Sequence, residues 1–202
     1  MAGLLPETVK AIAESGMRTG LWGRWQRVCE RPEVICDIGH NPPALKENFA
    51  RLAALQQGSD QTAEPVRGQQ EAIVQQPRQL IIVYGIMADK DLAGIAPMMP
   101  AGATYILTAP DSPRSMPAEE LAARLTELRP DIAGGNKDDD GCTLGAKVHT
   151  SPGGVEIVPA VADAVRQALN LAQDLPNPLI YIGGSTFVVA EALPLFNENT
   201  EP

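Results

Sequence analysis

Residues 33–55, EVICDIGHNPPALKENFARLAAL, decide the fold. Glu33–Ile38 is an apolar, β-branched run bounded by Pro32 and Gly39, the pattern of a buried strand. Asn41-Pro42-Pro43 then opens a helix, because proline sacrifices no hydrogen bond in a first helical turn. Ala44, Leu45, Phe49, Leu52 and Leu55 follow with the helical period.

The same alternation extends in both directions. Trp25–Val28, Gln79–Tyr84, Thr104–Thr108 and Leu179–Ile182 read as further strands. Pro117–Leu128 and Ala160–Leu171 carry helical periodicity; residues 7–16 and 89–99 read as shorter helices, the second cut by Pro97. Lys147–Thr150 and Val155–Val158 bracket Pro152-Gly153-Gly154 as a hairpin or an interrupted strand would. After Gly183-Gly184, Ser185 is a natural N-cap for a helix running to Leu193. Two polar stretches, 57–78 and 130–146, read as surface insertions. The expectation is one α/β domain over residues 1–202, built on a parallel, open, three-layered sheet. Such sheets bind ligands at the carboxyl ends of their strands. That rule selects Asp37–Asn41, Gly85–Lys90, Thr108–Arg114 and Gly183–Phe187.

Composition narrows the function. At 202 residues with 44% hydrophobic and only 4% aromatic content, the chain can bury a core, and that core must be aliphatic. A formal net charge of -9 removes a global nucleic-acid footprint but leaves room for a small anion site. No apolar run approaches the roughly 20 residues of a membrane span, and residues 1–20 lack the apolar core of a signal peptide. Three cysteines without CxxC spacing read as free thiols of a reducing cytoplasm. Two histidines and no Cys/His cluster give no zinc pattern, and the DDDG at 138–141 lacks calcium-loop spacing, so no metal site is expected in this chain.

Four elements offer chemistry, and each has a plainer reading beside it. Asp37 can accept from sugar hydroxyls, and His40 can meet a phosphate or carboxylate at a helix N-terminus that favours anions. The plainer reading of Asp37–Asn41 is a capped Asn/Pro helix start. Arg24, beside Trp25 after a glycine turn, can grip phosphate bidentately or be a surface arginine. Lys90, between Asp89 and Asp91, can meet an anion or belong to an exposed charge triad at a helix start. The Gly183-Gly184-Ser185-Thr186-Phe187 turn can hold an anion on backbone N–H groups or serve close strand–helix packing. It is neither a dinucleotide fingerprint nor a P-loop, and Ser185 lacks the setting of a hydrolase nucleophile.

Taken in order, GRWQ, DIGHNP, YGIMADKD, Pro110 to Arg114 and IGGSTFVVAE resemble the C-terminal domain of the folylpolyglutamate synthase/dihydrofolate synthase branch of the Mur ligase superfamily. The resemblance runs from Gly20 to Leu193, interrupted by the two insertions. It implies a Rossmann-like three-layer sandwich, mostly parallel with one antiparallel strand. It also implies an ATP-dependent ligase that adds L-glutamate to folate or dihydropteroate through an acyl phosphate. The chain has no P-loop of its own. The resemblance therefore implies a piece of a longer enzyme, inactive alone, whose N-terminal ATPase domain supplies the P-loop and the Mg2+ ligands.

By position, Arg24 and Asp37 match the family's ATP contacts, and His40 matches the catalytic histidine near the incoming glutamate. Ser185 and Phe187 match the Gly-Ser-x-aromatic glutamate segment, with Phe187 where tyrosine is usual. Asn41 and Lys90 would line the site. Two other readings are the equivalent domain of a cell-wall Mur ligase and a non-catalytic nucleotide- or metabolite-binding α/β module. An enclosed pocket would mark such a module; Arg24, Asp37 and His40 on one outward face would mark the ligase piece.

Overall fold

The computed structural model describes residues 23–58, 76–133 and 153–197. Six strands form one sheet: β1 (Gln26–Glu30), β2 (Glu33–Asp37), β3 (Gln79–Tyr84), β4 (Thr104–Leu107), β5 (Gly154–Ile157) and β6 (Pro178–Gly183). Their order across the sheet is β1-β2-β6-β3-β4-β5. The β1–β2 pair is antiparallel and every other pair is parallel. The implied Rossmann-like architecture, with its single antiparallel strand, is therefore present.

Right-handed crossovers sort the helices between two faces. The helices α1 (Pro42–Gln56), α2 (Leu92–Ile95), α3 (Ala118–Leu128) and α4 (Pro130–Ala133) follow β2, β3 and β4 as the chain steps toward the β5 edge. Leu45, Phe49, Leu52, Leu92, Leu121, Leu125 and Ile132 from these helices share one core with Ile35, Ile82, Tyr84, Tyr105 and Tyr181. After β5 the chain turns back, so α5 (Val161–Gln173), α6 (Thr186–Ala192) and α7 (Pro194–Asn197) lie on the other face. There Val161, Ala164, Val165, Val188 and Val189 cover Val34, Cys36, Ile81, Val83, Ile180 and Ile182. Alternate residues of each central strand face opposite cores, which is why these strands are apolar throughout.

Several boundaries differ from the sequence reading. Trp25 has φ +44° and cannot be in a strand, so β1 starts one residue later. Pro130–Ala133, assigned to an insertion, forms a helical turn with Ile132 buried. Arg78, assigned to the other insertion, is anchored: its guanidinium meets Glu33 at 2.9 Å and donates to the Pro178 carbonyl at 2.9 Å. Gly154–Ile157, expected as the second arm of a hairpin or an interrupted strand, pairs parallel with β4. The segment 89–99 holds α2 followed by a 3-10 turn at Ala96–Met98, where Pro97 ends the helix. The expected helix at 7–16, the strand at Lys147–Thr150, the DDDG run and most of both insertions lie outside the described residues.

Candidate functional site

The strand registers place Asp37 level with Gly183, Gly183 level with Tyr84, and Tyr84 level with Leu107. The segments that follow β2, β6, β3 and β4 therefore emerge side by side at one edge. Because β1 runs the other way, the residues before it arrive at this same edge. The loop after β2 leads to α1 on one face, and the turn after β6 leads to α6 on the other. Adjacent strands that depart in opposite directions leave a crevice between their loops.

Asp37 organises the β2 side. It is 7% exposed, and its carboxylate accepts three hydrogen bonds. Oδ1 takes the Gly39 amide at 2.7 Å and Asn48 Nδ2 at 2.6 Å, while Oδ2 takes the Trp25 amide at 2.7 Å. A Cβ on residue 39 would stand 2.6 Å from Asp37 Oδ1 and would push the carboxylate off its partners. The bond from Trp25 explains how a bulky residue keeps a left-handed backbone conformation. Its indole lies under the Arg51 guanidinium, 4.3 Å from the ring centroid, and 6.1 Å from the Tyr181 ring. The Asp37 charge also reaches inward. With burial as the main cause, it pushes the Cys36 thiol up to about 12 and raises the Tyr181 hydroxyl well above its usual range.

Asn41 caps α1, its Oδ1 accepting from the Ala44 amide at 3.0 Å. His40 is exposed, with Nδ1 3.1 Å from the Ile38 carbonyl. When Nδ1 carries the proton and donates to that carbonyl, Nε2 is left to face outward. Arg24 is exposed. Together Arg24, Trp25, Asp37, His40, Asn48 and Arg51 wall an open cavity of about 520 Å³.

The remaining expected residues are not walls of this cavity. Ser185 is buried and caps α6, its Oγ accepting from the Phe187 amide at 3.1 Å. Phe187, in contrast, is 48% exposed. Lys90 is half-buried on the β3 loop. Its acidic neighbours do not converge on it: Asp91 caps α2 through the Gly94 amide at 3.1 Å, and Asp89 faces Arg114 at 3.4 Å. The structure thus groups Arg24, Asp37, His40 and Asn41 around one cavity and puts Lys90 on the β3 loop and Ser185 and Phe187 at the start of α6, all at the same edge.

Asn48, Tyr181 and Arg51 were not picked out by sequence. Asn48 is one polar residue on a helix full of them, and Tyr181 in an apolar strand reads as core. A second hollow of about 590 Å³ lies between the β4 and β5 ends, walled in part by Asp111, Glu119 and Glu191. Its carboxylates disfavour an anionic ligand. Among the described residues, no three His, Cys, Asp or Glu side chains stand together as a metal site would require. No helix among them is long and apolar enough to cross a membrane.

Comparison with known proteins agrees with this fold. Residues 23–186 match the family described as the Mur ligase, glutamate ligase domain. The chain is 31% identical over 120 residues to the dihydrofolate synthase/folylpolyglutamate synthase of Escherichia coli K12, a match covering 56% of this chain and 24% of that protein. Its fold is similar to Mycobacterium tuberculosis folylpolyglutamate synthase complexed with ADP (TM-score 0.57, 23% identity, 89% of this chain and 33% of that one). It is also similar to the bifunctional Yersinia pestis synthase complexed with AMPPNP and a Mn ion (TM-score 0.53, 22% identity, 87% and 31%). The chain spans between a quarter and a third of the length of these relatives.

Proposed function

The chain belongs to the Mur ligase family through its glutamate ligase domain, and on that premise we propose that it is the nucleotide- and glutamate-contacting part of a folate-directed ATP-dependent ligase. The observation that carries this reading is the convergence of Arg24, Asp37 and His40 on one open cavity at the carboxyl edge. Arg24 and His40 point outward rather than into an enclosed pocket, which favours a surface completed by another domain over a self-contained binding module.

The fit to a nucleotide can be argued atom by atom. A carboxylate offers about four lone-pair sites. Three of Asp37's are taken by the protein, two on Oδ1 and one on Oδ2. Oδ2 therefore keeps one for a ribose hydroxyl. Arg24 brings a guanidinium suited to phosphate oxygens. His40 presents Nε2 to the incoming amino acid, and Asn41 and Lys90 line the approach. Phe187 offers an exposed ring beside the glutamate, while Ser185 shapes that turn by capping α6. The magnesium ligands are assigned to the ATPase domain, and no step here is routed through the ion.

In the whole ligase, the γ-phosphoryl group of ATP passes to a folate or dihydropteroate carboxylate, and ADP leaves. The amine of L-glutamate then attacks the acyl carbon. The C–N bond forms, the C–O bond breaks, phosphate departs and the ammonium proton is lost. A carboxylate without phosphorylation would have to expel oxide, and the accumulating negative charge calls for cations such as Arg24. Water must be kept from the acyl phosphate, which is the reason for closing this domain on a P-loop domain. The setting for such chemistry is the cytoplasm.

The test is a glutamate-ligation assay with ATP, on this chain alone and mixed with the N-terminal ATPase domain of a folylpolyglutamate synthase. Turnover only in the mixture, lost with Arg24→Ala or His40→Ala, is the expected result. Turnover by the chain alone, or unchanged turnover in both variants, would overturn the proposal.

A further inference from the structure

Asn48 lies about two turns into α1, where its side chain faces the sheet. Its Nδ2 group carries two N–H bonds, and the structure gives each an acceptor: Asp37 Oδ1 at 2.6 Å and Tyr181 Oη at 3.2 Å. Asp37 holds the Gly39 and Trp25 amides. Tyr181 precedes Gly183 by two positions on β6, and its ring and hydroxyl fill the space that a Gly183 side chain would need. A Cβ there would stand 2.7 Å from both Cε1 and Oη. One amide thus joins the end residue of β2 to Tyr181 on β6; Asp37 holds the Gly39 amide of the loop that follows, and the Tyr181 ring packs against Gly183, where the other turn begins.

We propose that Asn48 is a positioning residue that couples the Asp37–Asn41 loop to the Gly183–Ser185 turn, so that nucleotide on the first presets the second for glutamate. The ligand assignment rests on the function proposed above; the coupling rests on the two hydrogen bonds of Asn48 and on the packing of Tyr181 against Gly183. An amide that merely satisfied two buried oxygens would lower stability when removed, but it would not carry a change from one loop to the other.

A double-mutant cycle followed by amide NMR on the full chain separates these cases. Tyr181→Phe removes one oxygen from the β6 side. With Asn48 present, it is expected to displace the Gly39 amide resonance on the β2 side. In an Asn48→Leu background the same change is expected to leave Gly39 in place. Should Asn48→Leu not fold, Asn48→Thr takes its place in the cycle. Equal displacement of Gly39 with and without Asn48 overturns the coupling.

ATP added to the wild type is expected to move Gly39 together with Gly183 and Gly184, and in the Asn48 variant to move Gly39 alone. ATP that moves Gly39 but neither glycine of the β6 turn in the wild type also overturns the coupling. ATP that moves none of them overturns the nucleotide assignment instead, and the ligand-free cycle still decides the role of Asn48.

Discussion

The Trp25 amide donates to Asp37 Oδ2 at 2.7 Å across twelve positions of sequence, fixing a left-handed backbone conformation at an aromatic residue. Asp37 is therefore part of the scaffold as well as a candidate ligand contact. Asp37→Ala strands three hydrogen bonds, one of them from a side chain, and is expected to cost about 3 kcal/mol. Exposed His40 stands in contrast: His40→Ala is expected to stay within about 0.5 kcal/mol. Urea denaturation followed by circular dichroism checks both. Lost ligation in His40→Ala then reports on chemistry, whereas the same loss in Asp37→Ala must be read against a weakened fold.

Gly184 admits no side chain. At φ +92°, a Cβ would lie 2.5 Å from Tyr84 Cε2 and 2.7 Å from the Gly85 carbonyl oxygen. Backbone strain and a clash with main-chain atoms add, so Gly184→Ala is expected to lose about 3 kcal/mol or more. A thermal melt that matches the wild type would show that the turn can relax.

All three tyrosines of the chain, Tyr84, Tyr105 and Tyr181, are buried, and burial raises each hydroxyl above its ordinary range. In the unfolded chain a tyrosine titrates at about 10. Above that pH the unfolded state releases protons that the folded state keeps, so stability falls as pH rises. Cys36, pushed up to about 12, adds the same slope from about pH 8.5 upward. Tyrosinate absorbance is expected to appear in one step together with loss of circular dichroism. A gradual rise in absorbance with the fold intact would contradict the buried assignment.

Arg129 ties α3 to the preceding 3-10 turn. Its Nη1 donates to the Ala96 and Met99 carbonyls at 2.6 and 3.0 Å, and its other nitrogens grip the Asp131 carboxylate. The side chain is 15% exposed, and Arg129→Ala is expected to cost about 2–3 kcal/mol in chemical denaturation. The bond from Arg129 holds the Asp131 carboxyl below its usual range. Its contribution is therefore whole above the unfolded value of about 3.9 and disappears as pH falls through the lower folded value. Melts between neutral and strongly acid pH should lose part of their acid-side decline in Asp131→Asn.

Much of the sheet was legible because strands buried on both faces must be apolar throughout: EVICD, QLIIVY and PLIYIG announce themselves. The cap at Asn41 and the cap at Ser185 were legible for a similar reason, since each is a local contract between a side chain and an amide nearby. What was not legible depends on partners distant in sequence. Trp25 reads as the start of a strand until Asp37 is seen holding its amide. Arg78 reads as a polar loop residue until Glu33 and Pro178 are placed beside it. Asn48 gives no sign of facing Tyr181, because the 133 positions between them are closed only by the sheet.

The reversed direction of β1 has a consequence for assembly. Gly23, packed against Ile38, is where the described chain enters the fold, and it enters at the rim of the cavity rather than at the far end of the sheet. On the function proposed above, a domain fused ahead of this point would be tethered on the cavity side of the sheet, and contacts made from a tether need less intrinsic affinity than contacts between free partners.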